Sequence, residues 1–296
     1  MTMIKVFLSV KNRLKKFCLY QLSLRKWMIL IRHPLEYQKR KRMAKCFSKT
    51  SFSESLEQIK EKGYVTASSL VDTELRDKLD AVYLEKAKEL SYYINTVDIG
   101  RSKTYMREML VGEDFYSDSV FVKFALQNSI IEIVSSYFGQ IPYLARIELV
   151  LTVGQCHQQW SHSQLWHKDY NDKKMIKFFI YLTDVETDED GPFTFFPRNI
   201  SEKLNLPLFP VHKSDSIFVK KQIMHQFKKM KGPRLTTFFI DTYHCYHMGS
   251  RLPHGKYRVA FVATYTTFAS HLAYDNKIKI SNSASSLERL ILETIT

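Results

Sequence analysis

Two short segments eighty residues apart carry side chains whose types and spacing fit a metal centre. His167 and Asp169 flank Lys168, and residues i and i+2 of an extended strand point to the same face. The second segment, Tyr243-His244-Cys245-Tyr246-His247-Met248-Gly249-Ser250, follows the apolar run 235–240 and adds the imidazole of His247. Two imidazoles and one carboxylate on one face of a metal ion leave its other positions open, the arrangement of non-haem Fe(II) oxygenase centres. Arg258 follows eleven residues after His247, inside the mostly apolar run 257–261. Cys245 lies beside these groups, but nothing in the sequence marks a base that would make it a nucleophile, so it reads as packing.

The elements that must position these residues run in a definite order. Phe7, Val10, Leu14, Phe17, Gln21, Leu24, Met28 and Ile31 step by three and four, one helical face that is apolar except for Gln21. Pro34 ends that helix, and Lys39-Arg40-Lys41-Arg42 forms a second basic run. A helix over 51–62 stopped by Gly63, a short strand over 64–67 and a long helix opened by Asp72 come next. Residues 97–118 read as irregular and polar, 128–138 as a helix closed by Gly139, and 145–152 as a strand. Further strands are expected over 176–183, 193–196, 235–241 and 257–267, with a loop over 200–213, a helix within 214–229 and a C-terminal helix over 283–295. Helices first and strands afterwards is the order of an α+β fold, or of a β-sandwich decorated by helices.

The charge is unevenly spread. The chain of 296 residues has a formal net charge of +14, and residues 1–50 hold fourteen Lys and Arg against the single acid Glu36. The rest is nearly neutral, so the sequence divides into a basic amphipathic helical arm, 1–50, and a body, 51–296. No uncharged stretch of the arm approaches the length of a spanning helix, and the run between Lys5 and Lys11 is too short for a secretory signal. Such an arm suits an anionic lipid surface, or packs its stripe on its own body. Phosphates of nucleic acid rank last, because no nucleic-acid module accompanies the charge. Cys18, Cys46, Cys156 and Cys245 are scattered without a C-x-x-C pair, which fits a reducing compartment, and the expected location is cytoplasmic, peripheral at the inner membrane face.

The segment Trp166-His167-Lys168-Asp169, the run 175–186 leading into Asp190-Gly191-Pro192-Phe193-Thr194-Phe195-Phe196-Pro197, and then His247 and Arg258 together resemble the phytanoyl-CoA dioxygenase family of Fe(II)/2-oxoglutarate-dependent oxygenases. The resemblance covers 154–267 well, 64–153 loosely, and does not reach the first fifty residues. It implies a double-stranded β-helix (jelly roll, cupin-like) core with the metal inside its open end. It implies Fe(II) held by His167, Asp169 and His247, with 2-oxoglutarate on two of the remaining positions. The far carboxylate of that cosubstrate needs a cation, and Arg258 on the strand after His247 suits it, since a guanidinium meets two oxygens with two N–H groups. Ser250 adds a hydrogen bond there or is a plain turn residue. His247 is preferred over His244 and His254 because Gly249 and Arg258 align with it.

The implied reaction is decarboxylation of 2-oxoglutarate to succinate and CO2 coupled to hydroxylation of a C–H bond in a small-molecule or lipid-linked substrate. Related halogenases replace the carboxylate ligand by a small residue, and this chain keeps Asp169, which favours hydroxylation. Gln155, Gln164 and Trp166 are candidates for the substrate pocket, with ordinary packing as the alternative. Arg146 either binds an acidic group or pairs with Glu148. The competing function is a non-catalytic jelly-roll binding or scaffold protein attached to membrane through its arm. A zinc hydrolase on the same ligands lacks an obvious base and leaves Arg258 without a role.

Overall fold

The computed structural model describes residues 22–47, 52–95, 103–156, 159–270 and 278–293. Among them nine strands form two antiparallel sheets: β1 (Tyr64–Thr66), β2 (Met106–Glu108), β3 (Tyr143–Val153), β4 (Met175–Tyr181), β5 (Phe193–Phe195), β6 (Lys228–Met230), β7 (Thr237–Ile240), β8 (His247–Met248) and β9 (Tyr257–Thr266). The large sheet has the order β1-β7-β4-β9-β3-β2, and the small one β6-β5-β8. This is the expected α+β, double-stranded β-helix architecture decorated by helices, with the two sheets not closed into a barrel.

Strict alternation along the long central strands sorts the two faces of the large sheet. Ile176, Phe178 and Ile180 of β4, Leu149 and Leu151 of β3, and Val259, Phe261 and Ala263 of β9 pack under the helices Ser53–Lys62, Thr73–Ala87, Val120–Ala125 and Asn128–Phe138. Each large apolar side chain buried there contributes roughly 1.5–3 kcal/mol. The opposite face presents Phe179, Tyr181, Phe238, Ile240, Ala260 and Val262 to Phe193, Phe195 and Met230 of the small sheet. The register pairs Thr152 with Arg258 and Tyr181 with Ala260, so Arg258 enters this inner layer at the start of β9.

Several expected elements appear with their caps. Asp72 accepts from the Leu75 N–H at 2.9 Å and starts the helix Thr73–Ala87. Gly63 closes the helix Ser53–Lys62 at φ 79, and a Cβ there would lie 2.4 Å from Cys245 Sγ, so both its backbone and its surroundings require glycine. Other expectations are corrected. Residues read as irregular contain β2, three residues paired to the inner strand β3, and a further helix forms over Val120–Ala125. The expected loop 200–213 begins with a short helix, Arg198–Ser201, and a 3-10 turn, Glu202–Leu204. Only Asp215–Lys220 of 214–229 is α-helical, since the chain then turns into β6.

The first helical positions of the arm, Phe7 to Gln21, lie outside the described residues. Helices Leu22–Arg32 and Pro34–Ala44 follow, with Pro34 at the start of the second rather than inside the first. Arg40, in the second basic run, is buried. Its guanidinium donates to the carbonyls of Ile141 (3.4 Å), Pro142 (3.2 Å) and Leu290, and pairs with Glu36 at 2.8 Å.

Candidate metal and cosubstrate site

The segment 165–169 is hooked between two partners. Trp166 and Lys213 exchange backbone hydrogen bonds at 3.0 and 2.8 Å, His167 and His247 do so at 2.9 Å each way, and the Asp169 N–H donates to the Thr242 carbonyl at 2.9 Å. Alternation then divides the side chains. Trp166 is buried among Phe196, Phe218 and Phe227, and Lys168 lies over the Tyr246 ring at 4.7 Å. His167 and Asp169 face the other way, into a cavity of about 300 Å³ between the sheets. β8 pairs with β5, placing Phe195 opposite His247 and stacking the Phe193 ring on the His247 ring at 5.4 Å.

The structure brings His167, Asp169 and His247 together with one ligand atom from each inside 4.8 Å of the others. His167 Nδ1 donates to the Leu165 carbonyl at 2.8 Å and His247 Nδ1 to the Cys245 carbonyl at 3.1 Å. Those bonds leave Nε2 of each ring as the basic nitrogen, 3.9 and 3.7 Å from the Asp169 carboxylate. Burial lowers His247 to about 4, and burial together with His247 lowers His167, so both are neutral near pH 7. Burial alone would raise the Asp169 carboxyl, but the Lys177 ammonium 2.8 Å away, together with His247 and His167, outweighs it and holds the group well below the usual carboxylate range. A neutral, neutral and anionic donor set of this kind fits a divalent first-row metal.

Arg258 and Ser250 line the same cavity. Arg258 Nη1 donates to the Gly191 carbonyl at 2.7 Å, while its buried Nε has no hydrogen-bond partner, and neither has the buried Ser250 Oγ. Unpartnered buried donors are costly unless a ligand meets them, so this end of the cavity fits a carboxylate. Gly191, at φ 67, allows the approach: a Cβ there would strike Leu252 and Ser250.

The rival histidines stand apart. His244 Nδ1 is held 2.6 Å from Asp241 Oδ2, and His254 is exposed on its turn. Cys245 is buried, and burial pushes its thiol well above the ordinary value, which fits packing. None of the three pocket candidates before His167 lines the cavity: Trp166 donates to Asp215 at 2.8 Å, Gln164 to the Ser250 carbonyl at 3.2 Å, and Gln155 to Thr104 at 2.8 Å. Lys103, Tyr105, Met106 and Lys177 line it instead. Strand alternation gives Lys177 away, since it breaks an apolar run on the face of Phe179.

The chain has the fold of solved iron and 2-oxoglutarate enzymes. It is similar to EctD from S. alaskensis solved with 2-oxoglutarate and 5-hydroxyectoine, with a TM-score of 0.52 and 12% identity over 77% of this chain and 78% of that one. A form of EctD with bound Fe gives 0.51 at 13% identity over 81% and 86%. The non-heme alpha ketoglutarate dependent epimerase SnoN from nogalamycin biosynthesis gives 0.50 at 17% identity over 73% and 83%. No protein-family model and no curated protein matches the chain.

Proposed function

We propose that this protein is an Fe(II)- and 2-oxoglutarate-dependent dioxygenase similar to the phytanoyl-CoA dioxygenase family, hydroxylating a C–H bond of a small-molecule or lipid-linked substrate. The observation that carries the reading is one cavity holding both the His167–Asp169–His247 cluster and the unpartnered Arg258 Nε and Ser250 Oγ. The neighbours in fold include enzymes solved with Fe and with 2-oxoglutarate, which supports the same pair of cofactors here. When bound, Fe(II) and 2-oxoglutarate would supply dioxygen activation coupled to release of succinate and CO2.

The residues divide the remaining work. His167, Asp169 and His247 hold the metal, and the backbone carbonyls of Leu165 and Cys245 keep both imidazoles in the ligating tautomer. Lys177 neutralises the Asp169 carboxylate until a metal takes its place. Arg258 and Ser250 grip the distal carboxylate of the cosubstrate. Phe179, Phe193 and Val262 line the cavity and limit water around the reacting carbon. Anaerobically iron-loaded protein should release succinate from 2-oxoglutarate, slowly without substrate and faster with one, in a screen of pooled metabolites and membrane lipids. Protein that neither binds iron nor turns over 2-oxoglutarate would return the non-catalytic reading.

The arm supports peripheral contact with an anionic membrane. Trp27, Met28, Ile31 and Leu35 are 66%, 47%, 70% and 82% exposed, so the predicted stripe does not bury Met28 and Ile31 on the body. Lys26, Arg32, Lys39, Lys41 and Arg42 accompany them. No helix among the described residues is long and apolar enough to cross a membrane. Trp27→Glu with Ile31→Glu should abolish co-sedimentation with phosphatidylserine-containing vesicles; unchanged sedimentation would remove the arm from the membrane reading.

A further inference from the structure

We infer that Asp241 is a positioning residue for the metal centre: its buried carboxyl sets the turn that aims both Asp169 and His247. The inference rests on the metal reading above and concerns a side chain behind the cavity wall, outside the ligand set.

One turn serves two of the three ligands. The Thr242 carbonyl accepts the Asp169 N–H at 2.9 Å, and the Cys245 carbonyl accepts from His247 Nδ1 at 3.1 Å. The first bond fixes where the Asp169 backbone sits, and the second fixes the ring orientation and tautomer of His247. Both carbonyls belong to the turn 241–245, which closes through the Cys245 N–H donating to the Asp241 carbonyl at 3.0 Å. A shift of this turn therefore moves two metal ligands at once.

Asp241 holds that turn from inside, and the residue is fully buried. One carboxyl oxygen accepts the N–H groups of Tyr243 at 3.1 Å and His244 at 3.0 Å, the two residues between Thr242 and Cys245. The other oxygen accepts from the Tyr137 hydroxyl and lies 2.6 Å from His244 Nδ1. Burial, and then Asp241, hold the Tyr137 hydroxyl well above its ordinary value, so it stays protonated and donates. Tyr137 belongs to the helix Asn128–Phe138, and its oxygen accepts from Arg198 at 3.4 Å. The Asp241 N–H donates to the Gly63 carbonyl at 2.8 Å, where the helix Ser53–Lys62 ends. The turn is thus pinned to two helices of the layer behind the large sheet. Capping alone does not account for this residue, since serine or asparagine accepts turn N–H groups without the cost of burying a carboxyl. The second oxygen, met by Tyr137 and His244, is the part that a plain turn does not need.

The test is calorimetric titration of the full chain with Mn(II), with the visible absorption of the Co(II) form as a second readout of ligand geometry. Asp241→Asn keeps the shape and one acceptor oxygen, but puts an amide N–H group where Tyr137 and His244 meet an acceptor. It should weaken Mn(II) binding about tenfold or more and shift the Co(II) bands, because the ligand directions change along with the affinity. Tyr137→Phe should give a smaller loss in the same direction, and should add nothing once Asp241→Ala is in place. Where the alanine variant does not fold, Asp241→Asn and Tyr137→Phe decide the matter. Arg40→Met breaks the clasp at Ile141, Pro142 and Leu290 and controls for lost stability. It should lower the urea midpoint and move neither metal readout. Unmoved Mn(II) affinity in Asp241→Asn, an unmoved Co(II) spectrum, or equal changes in Arg40→Met would each overturn the inference. Unsubstituted protein that binds no Mn(II) fells the metal reading and this inference with it, whereas normal binding there with an unmoved Asp241→Asn fells this inference alone.

Discussion

His167 and His247 exchange both backbone hydrogen bonds, each N–H donating to the other's carbonyl at 2.9 Å. Their ring centroids lie 4.2 Å apart. The spacing of the two imidazoles is therefore set by main-chain pairing, and Asp169 is fixed by its own bond to Thr242. A site built this way exists before any metal arrives.

The first prediction follows from that order of events. His247→Ala and Asp169→Ala should weaken metal binding about a hundredfold or more, since loss of a group that only orients a ligand already costs about 10–100-fold. Far-ultraviolet circular dichroism should be unchanged, because the backbone pairing does not need the side chains. Calorimetric titration with Fe(II) or Mn(II) under nitrogen reads the affinity. Retained affinity in either variant would remove that residue from the ligand set.

Lys177 gives a second prediction, with opposite signs for two quantities. Its ammonium is the partner of Asp169 in the metal-free protein and competes with a metal for the same carboxylate. Lys177→Met should lower metal-free stability by about 2–3 kcal/mol, the cost of leaving a mostly buried carboxylate without its charge. The extra stabilisation on adding metal should be larger than in the unsubstituted protein. Urea melts with and without Mn(II) measure both.

The pH dependence of the metal-free protein has a defined window. Burial holds His247 at about 4 in the folded state, below its ordinary 6.5, so the unfolded chain binds the extra proton first as pH falls. Stability should be flat above pH 6.5 and should drop between 6.5 and 4 by up to ~3 kcal/mol from this group. His167, lowered by burial and by His247, acts in the same direction. Denaturant midpoints at pH 7.5, 6 and 5 in the presence of a chelator check the slope, and His247→Gln should flatten it.

Arg258 separates the oxygenase from its rivals. Arg258→Ala should weaken 2-oxoglutarate binding by about 10²-fold, in keeping with loss of a charge-assisted bidentate contact worth a few kcal/mol. Ser250→Ala should cost about tenfold or less. A hydrolase or a scaffold would show no change in either variant by the same titration.

Much of this arrangement was readable because the residues concerned obey local rules. The i, i+2 spacing of His167 and Asp169 works through strand alternation, and the caps at Asp72 and Gly139 act within a turn or two of chain. Arg258 was placed by its position on β9. The walls of the cavity were less legible, because they depend on register between distant strands. β2 is three residues long and gains its identity only from pairing with β3, so Tyr105 and Met106 carried no pattern of their own. For Trp166 the packing alternative holds rather than the pocket one, because neighbours on a strand face opposite sides and its sequence nearness to His167 is what turns it away.

Arg40 joins the entry to β3 at Ile141 and Pro142 to the C-terminal helix at Leu290. Shortening the chain at residue 50 would therefore leave three carbonyls without their cation. A trimmed expression product that begins just before Pro34 keeps this clasp while discarding Trp27, Met28 and Ile31, and it is the natural boundary for crystallisation and for enzymology without lipid.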